Sequence, residues 1–214
     1  MKILAFESTC DETAVAVVED GRRILTDQIL SQASLHAVYG GVVPEIASRC
    51  HVEAISILAQ RAIEAAGIEK KDIDAVAVSY APGLIGAVLV GVNFAKACAS
   101  ALNVPLIPVH HIRGHIAANY LAYPELEPPF LCLAISGGNS LLVDVRDYTD
   151  MKILGCTRDD AAGDRRRADR AAGRALLRAR PFFCESGGAR RECPRHCPLR
   201  KARLCPRRTA QKLL

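Results

Sequence analysis

The sequence predicts an α/β fold: a mixed sheet with helices packed on it. Three observations carry this. Short apolar runs separated by turn residues fill positions 2–30 without helical spacing. Two longer segments, from Pro44 and from about Leu84, space their apolar residues for helices. Between and after those helices come the apolar runs Ile73–Val78 and Val104–Val109. The first of these alternates little, as expected for a strand covered on both faces.

In chain order, Lys2-Ile-Leu-Ala-Phe-Glu7 and Thr13-Ala-Val-Ala-Val-Val18 read as two strands of a hairpin. Gly21 marks the next turn, and Arg23 to Leu30 reads as a third strand. The first turn, Glu7-Ser-Thr-Cys-Asp-Glu-Thr13, is dense in hydroxyls and carboxylates. Ser, Thr and Asp favour turns for local hydrogen-bonding reasons. Glu7, Asp11 and Glu12 together exceed what a turn requires. Such a loop could hold a cation or position a water. It would repel phosphate unless a metal intervened.

Residues 31–41 read as a loop. Pro44 suits the first position of a helix. Ile55, Leu58, Ala59, Ala62, Ile63 and Ala66 continue that helix, and Gly67 is its stop. Ala81-Pro-Gly-Leu-Ile-Gly86 precedes the second helix, which runs to Leu102. Glycines ahead of a helix N-terminus let backbone N–H groups approach an anion, although most such turns only connect a strand to a helix.

Val109-His-His-Ile-Arg-Gly-His115 follows a strand and opens a helix-like segment, Ile116 to Leu121. Histidines four apart on a helix share a face, about 5–6 Å between Cβ atoms. His111 and His115 can therefore share one metal ion, or be ordinary polar residues at a helix start. A zinc hydrolase of the H-E-x-x-H type needs Glu after its first His. Ile112 stands there, or His111 if His110 is counted first. A metallopeptidase is disfavoured on that chemistry.

Phe130-Leu-Cys-Leu-Ala-Ile135, Leu141–Val143 and Lys152–Leu154 then repeat the opening pattern of strand, small polar turn, strand, turn, strand. The turn is Ser136-Gly-Gly-Asn139, where glycine permits positive φ. The repeat lies in pattern, not in identity. Two such halves would face each other across a cleft.

The chain has 214 residues, half of them hydrophobic. No run of 18 uncharged apolar residues occurs, and MKILAFEST has no signal-peptide core. The expectation is a cytoplasmic protein without a membrane segment. Cys10, Cys50, Cys98, Cys132 and Cys156 are scattered singly, and such cysteines are mostly small buried hydrophobes. Charge divides the chain. Residues 164–214 hold 16 Lys/Arg against 4 Asp/Glu, a net of +12. Residues 1–163 hold the other 12 basic and 19 acidic side chains, a net of −7.

Six motifs occur in order: Phe-Glu-Ser-Thr-Cys-Asp-Glu-Thr (6–13), Tyr-Gly-Gly-Val-Val-Pro-Glu-Ile-Ala-Ser-Arg-Cys-His (39–51), Ala-Pro-Gly-Leu-Ile-Gly (81–86), His-His-Ile-Arg-Gly-His (110–115), Ser-Gly-Gly-Asn (136–139) and Asp-Asp-Ala-Ala-Gly (159–163). The set resembles the universal tRNA threonylcarbamoyladenosine transferase family, formerly labelled O-sialoglycoprotein endopeptidases. The resemblance implies the two-domain actin-like ATPase and sugar-kinase (ribonuclease-H-like) fold. It implies transfer of threonylcarbamoyl from threonylcarbamoyl-AMP to N6 of the adenosine beside the anticodon, in tRNAs reading codons that start with A. It makes His111 and His115 ligands of one divalent metal, Fe2+ or Zn2+. It makes Ala134, Ile135, Ser136, Gly137 and Gly138 the substrate loop. Asp11 and Glu12 match acidic positions near the adenylate and metal. The implied partners are tRNA and accessory subunits: a paralogous non-catalytic subunit and an ATPase.

The resemblance stops at Gly163 or Asp164. The family continues with Glu-Ala-Phe-Asp-Lys; this chain reads Asp164-Arg-Arg-Arg-Ala-Asp-Arg-Ala-Ala-Gly173, with Arg167 in place of the family's Asp. The later Asn for substrate and the Asp that is the third metal ligand have no counterpart. The expected organisation is a complete first domain over 1–124, opening strands of a truncated second domain over 125–163, and a basic Arg/Cys-rich tail over 164–214. Three readings of the tail are open. It is a zinc module on Cys184, Cys193, His196, Cys197 and Cys205, a basic RNA-binding segment, or out-of-frame translation of a GC-rich gene. The last accounts for the abundance of Arg, Ala, Pro, Gly and Cys and for the abrupt break. On any reading, few large apolar residues and a net of +12 predict that 164–214 does not pack on the rest. Three functions then compete: the transferase, a non-catalytic partner chain, and a sugar-kinase-like phosphotransferase. The His pair opposes the third, since phosphoryl transfer on that fold uses Mg2+ held by oxygens.

Overall fold

The computed structural model describes residues 1–135 and 140–156, with the backbone of 181–185. It forms two compact units, Met1–Gly114 and His115–Leu214. The division falls inside a helix, earlier than the boundary at 124 read from the sequence.

In the first unit, β1 (Lys2–Glu7), β2 (Glu12–Glu19) and β3 (Arg23–Ser31) form an antiparallel meander. β4 (Ala75–Ala81) pairs parallel with β1, and β5 (Leu106–His110) parallel with β4. The sheet order is β3-β2-β1-β4-β5. Leu4 and Phe6 on β1, and Val15 and Val17 on β2, point to one buried face. Each such side chain contributes roughly 1.5–3 kcal/mol by its burial. Ala75 to Val78 are all buried, which agrees with the unalternating run.

Two helices cover the buried face. α2 (Pro44–Ala65) packs over β2 and β3 through Ala54, Ile55, Leu58, Ala59 and Ala62. Its start is Pro44 at the first helical position, and Gly67 at φ +65 ends it. α3 (Ile85–Leu102) packs over β1, β4 and β5. It buries Ala87, Gly91, Ala95 and Ala99, one small residue per turn, and Phe94 meets Phe6 edge-on at 5.4 Å. By length and mean hydropathy (1.7) α3 also has the dimensions of a membrane span. Its buried small face makes it a core helix of this sheet. Asn103, left-handed at φ 54, ends it.

Two elements differ from the sequence reading. A short helix, α1 (Ala33–Ala37), lies in the segment read as loop, and a 3-10 turn at Lys70–Asp72 carries a Glu69/Asp72 capping box.

α4 (His111–Ala122) crosses the division. The second unit continues with β6 (Phe130–Ile135), β7 (Ser140–Val145) and β8 (Met151–Cys156), again antiparallel neighbours. Tyr120 packs edge-on against Phe130 at 5.9 Å. β9 (Pro181–Glu185) pairs parallel with β6, giving the order β8-β7-β6-β9. That order repeats β3-β2-β1-β4. The expectation that 164–214 stays off the sheets fails for these five residues. Pro-Phe-Phe-Cys-Glu is a strand-forming run inside the basic segment, and parallel pairing beside β6 satisfies its backbone. The cysteine and histidine positions read as a zinc module, apart from Cys184, lie outside the described residues.

The cysteines are less uniform than expected. Cys132 is buried and Cys50 and Cys98 half-buried, but Cys10 and Cys156 are exposed. Desolvation in its loop, and then Asp11, push the Cys10 thiol up to about 11, which keeps it protonated despite its exposure.

Candidate functional site

The carboxyl ends of the parallel strands β1, β4 and β5 lie side by side, where open α/β sheets place their ligand sites. Each end contributes a turn. β1 leads into Ser8–Asp11, β4 into Pro82–Leu84, and β5 directly into His111 at the start of α4.

The first two turns touch. Leu84 N–H donates to Thr9 O at 2.8 Å. A Cβ on Gly83 would stand 2.7 Å from both Thr9 Cβ and Thr9 O, so only glycine allows this approach. Ser8 is fully buried, and its hydroxyl donates to Ala87 O in the first turn of α3 at 2.9 Å.

The third turn joins them through His111. Its Nδ1 lies 3.0 Å from Glu7 Oε2 and 3.2 Å from Thr9 Oγ1. Thr9 N–H donates to the other carboxylate oxygen, Oε1. Burial pushes the Glu7 carboxyl up, but hydrogen bonds from His111, Ser79 and Thr9 outweigh it and hold the group at about 2. The folded-state value is below the ordinary 4.5, so the pair's stabilisation is present above pH 4.5 and is lost as pH falls toward 2. The Glu7 side chain is 30% exposed, so solvent screening reduces the effect to roughly 2 kcal/mol. Urea unfolding at pH 5 and pH 3 should show about half of that loss, the rest following below pH 3, and Glu7→Gln should flatten it. An equal pH dependence in the variant would remove Glu7 as the cause.

Beneath the acidic turn lies a buried polar network. His51 on α2 is fully buried; its Nε2–H donates to Cys10 O at 3.0 Å, and Thr13 Oγ1–H donates to its Nδ1 at 2.7 Å. Gln32 N–H donates to Asp11 O at 2.9 Å. The Gln32 side chain reaches Ala47 O and His36 Nε2, and Val43 N–H donates to His36 Nδ1. This network fixes the backbone of Cys10 and Asp11 from both sides. His51→Ala would strand the Thr13 hydroxyl and the Cys10 carbonyl, a loss of about 3 kcal/mol. Faster amide exchange over residues 8–12 is the expected signature; unchanged exchange would mean the turn holds itself.

Of the residues singled out from the sequence, His111 stands against Glu7 and Thr9. His115 follows one helical turn later on α4. Asp11 is held through its backbone carbonyl, while Glu12 opens β2 and is exposed. Ala134 is buried and Ile135 half-buried at the end of β6. Ser136, Gly137 and Gly138 lie outside the described residues. Sequence reasoning noted Glu7 as acidic but did not place it on His111, and gave no role to the buried His51 clamp.

The donor chemistry fits a divalent metal. Two imidazoles sit one turn apart on α4, and one is backed by a carboxylate, the usual outer partner of a metal-bound histidine. Among the described residues no group of three His, Cys, Asp or Glu side chains is placed to hold a metal, so the pair is a partial donor set. His110 beside it is kept low in pKa by burial, then by Arg113 and His111, and packs edge-on to Tyr80 at 6.5 Å.

Comparison of the sequence with known proteins matches the chain to one family. Residues 23–172 match the family model described as tRNA N6-adenosine threonylcarbamoyltransferase. The relative of that name from Clostridium novyi is 56% identical over 164 residues, covering 77% of this chain and 48% of the relative. The one from Clostridium kluyveri gives the same figures. This chain thus spans about half the length of the curated relatives it matches. Among solved structures, YeaZ from Pseudomonas aeruginosa is 17% identical, with 72% of this chain and 66% of that one covered at a TM-score of 0.50. A second Pseudomonas aeruginosa protein, described as similar to peptidase YeaZ, is 16% identical with 88% and 84% covered at 0.52. These likenesses bear on fold alone, and the fold is the actin-like α/β one. The chain belongs to the tRNA N6-adenosine threonylcarbamoyltransferase family.

Proposed function

We propose that the protein transfers a threonylcarbamoyl group from threonylcarbamoyl-AMP to N6 of the adenosine beside the anticodon in tRNAs reading codons that start with A. The observation that supports this is the family match over 23–172, which includes His111, His115 and Ala134–Gly138. His111 and His115 would hold one iron or zinc ion. Bound there, the metal would supply Lewis-acid polarisation of the threonylcarbamoyl group or its carboxylate. Ala134 to Gly138 would hold the adenylate, since small residues let phosphate reach backbone N–H groups. N6 attacks the carbamoyl carbon, the bond to the phosphate oxygen breaks, and AMP leaves with its charge stabilised. Asp11 or Glu12 would orient a group or take the N6 proton. We place the protein in the cytoplasm, with tRNA and accessory subunits as partners.

The test joins residues 1–163 to the second half of the Clostridium novyi relative. Supplied with threonylcarbamoyl-AMP, tRNA, metal and accessory subunits, this protein should yield threonylcarbamoyladenosine by mass spectrometry. His111→Ala should lower the yield by at least 10²-fold. No product from the joined protein would sink the proposal.

A further inference from the structure

We propose that Glu7 is a positioning residue for the metal pair: by accepting the Nδ1 proton of His111, it fixes that ring's tautomer and makes Nε2 the ligating nitrogen. The inference rests on the reading of His111 as a ligand given above.

The argument is one of donors and acceptors. An ionised carboxylate accepts only. Glu7 Oε2 is 3.0 Å from His111 Nδ1, so the proton between them belongs to the ring. A neutral imidazole carries a single N–H, so its lone pair is then on Nε2. The two buried histidines, His36 and His51, are set the opposite way. His51 Nε2 faces the Cys10 carbonyl, and His36 Nδ1 receives Val43 N–H, so each carries its proton on Nε2. His111 alone of these three faces a carboxylate through Nδ1.

The frame behind Glu7 is rigid. Glu7 is the last residue of β1 and pairs with Ala14. Its second oxygen is taken by Thr9 N–H, and Thr9 is 3% exposed and tied to Leu84 through its carbonyl. Thr9 Oγ1 adds a second contact to the same ring nitrogen. His111 begins α4, and the contacts with Glu7 and Thr9 restrain its ring.

The geometry also demands a carboxylate rather than an amide. Both oxygens of Glu7 accept, one from Thr9 N–H and one from His111 Nδ1–H. Glutamine has the same shape but one acceptor oxygen. It must turn its NH2 toward one of those donors, and the ring relieves the conflict by moving its proton to Nε2. A purely structural role would survive this isosteric change.

The test uses the full chain, metal-free, with 15N-labelled histidine at pH 8. The His111 proton should be on Nδ1, with His36 and His51 as internal references carrying theirs on Nε2. Glu7→Gln should move the His111 proton to Nε2 and leave both references unchanged. In a zinc chloride titration it should weaken binding by roughly 10–100-fold. A wild-type His111 protonated on Nε2 overturns the proposal, and needs no variant to be seen. So does a Glu7→Gln protein with an unmoved tautomer or unchanged zinc affinity. Absence of zinc binding by the wild type overturns the ligand reading instead, and the tautomer still decides the role of Glu7.

Discussion

Gly91→Val is expected to cost the first unit about 2–6 kcal/mol, enough to threaten a domain whose total stability is roughly 5–15 kcal/mol. Gly91 faces Ser8 across the contact between α3 and the turn after β1. Even a single Cβ there would run into the Ser8 hydroxyl. Ser8 cannot retreat without cost, because it is fully buried and its hydroxyl donates to Ala87 O. Relief requires breaking that bond or lifting α3 from the sheet. Gly91→Ala should also destabilise, against the gain of about 1 kcal/mol that alanine brings to a helix interior. Gly114→Ala is the control. Among the described residues its Cβ would meet only Val109 Cγ1, at 4.0 Å, so helix propensity should prevail and stability rise. Urea midpoints of the three variants settle the matter; a Gly91→Ala protein as stable as the parent would show that the contact yields freely.

The same contact shows how much of the site the sequence carried. Pro44, Gly67 and the spacing between them mark α2 because caps and periodicity are local signals. The meander is legible for the same reason: its strands are short apolar runs between turn residues. α1 was not, since five residues cannot show a period. It is held by a local bond between Gln32 and His36 and by Val43 N–H donating back to His36 Nδ1, neither of which shows as a period. Glu7 and His111 stand 104 positions apart. Nothing near either residue announces the other. They meet only because β1, β4 and β5 run parallel and end at one edge. β9 is a further non-local case: its strand-forming residues are readable, its partner β6 is not.

The 214-residue chain by itself is expected to form no detectable threonylcarbamoyladenosine, although it carries His111 and His115. Transfer separates charge between the carbamoyl carbon and the departing phosphate, and preorganised donors in a dry site stabilise that charge. The curated relatives hold about half their length beyond the part this chain matches. Losing one preorganised donor costs about 10²–10³-fold, and several lost together should put the rate at least about 10⁴-fold below that of residues 1–163 joined to the Clostridium novyi second half. Retention of tRNA is no substitute readout. The net of +12 over residues 164–214 should bind tRNA through its phosphates whether or not chemistry follows, and that binding should weaken steeply with salt. The two proteins should therefore be compared by mass spectrometry of the nucleoside, at equal metal, threonylcarbamoyl-AMP and accessory subunits. Turnover by the 214-residue chain within tenfold of the joined protein would mean that residues 164–214 themselves supply the remaining donors, with β9 beside β6 as the first place to look for how.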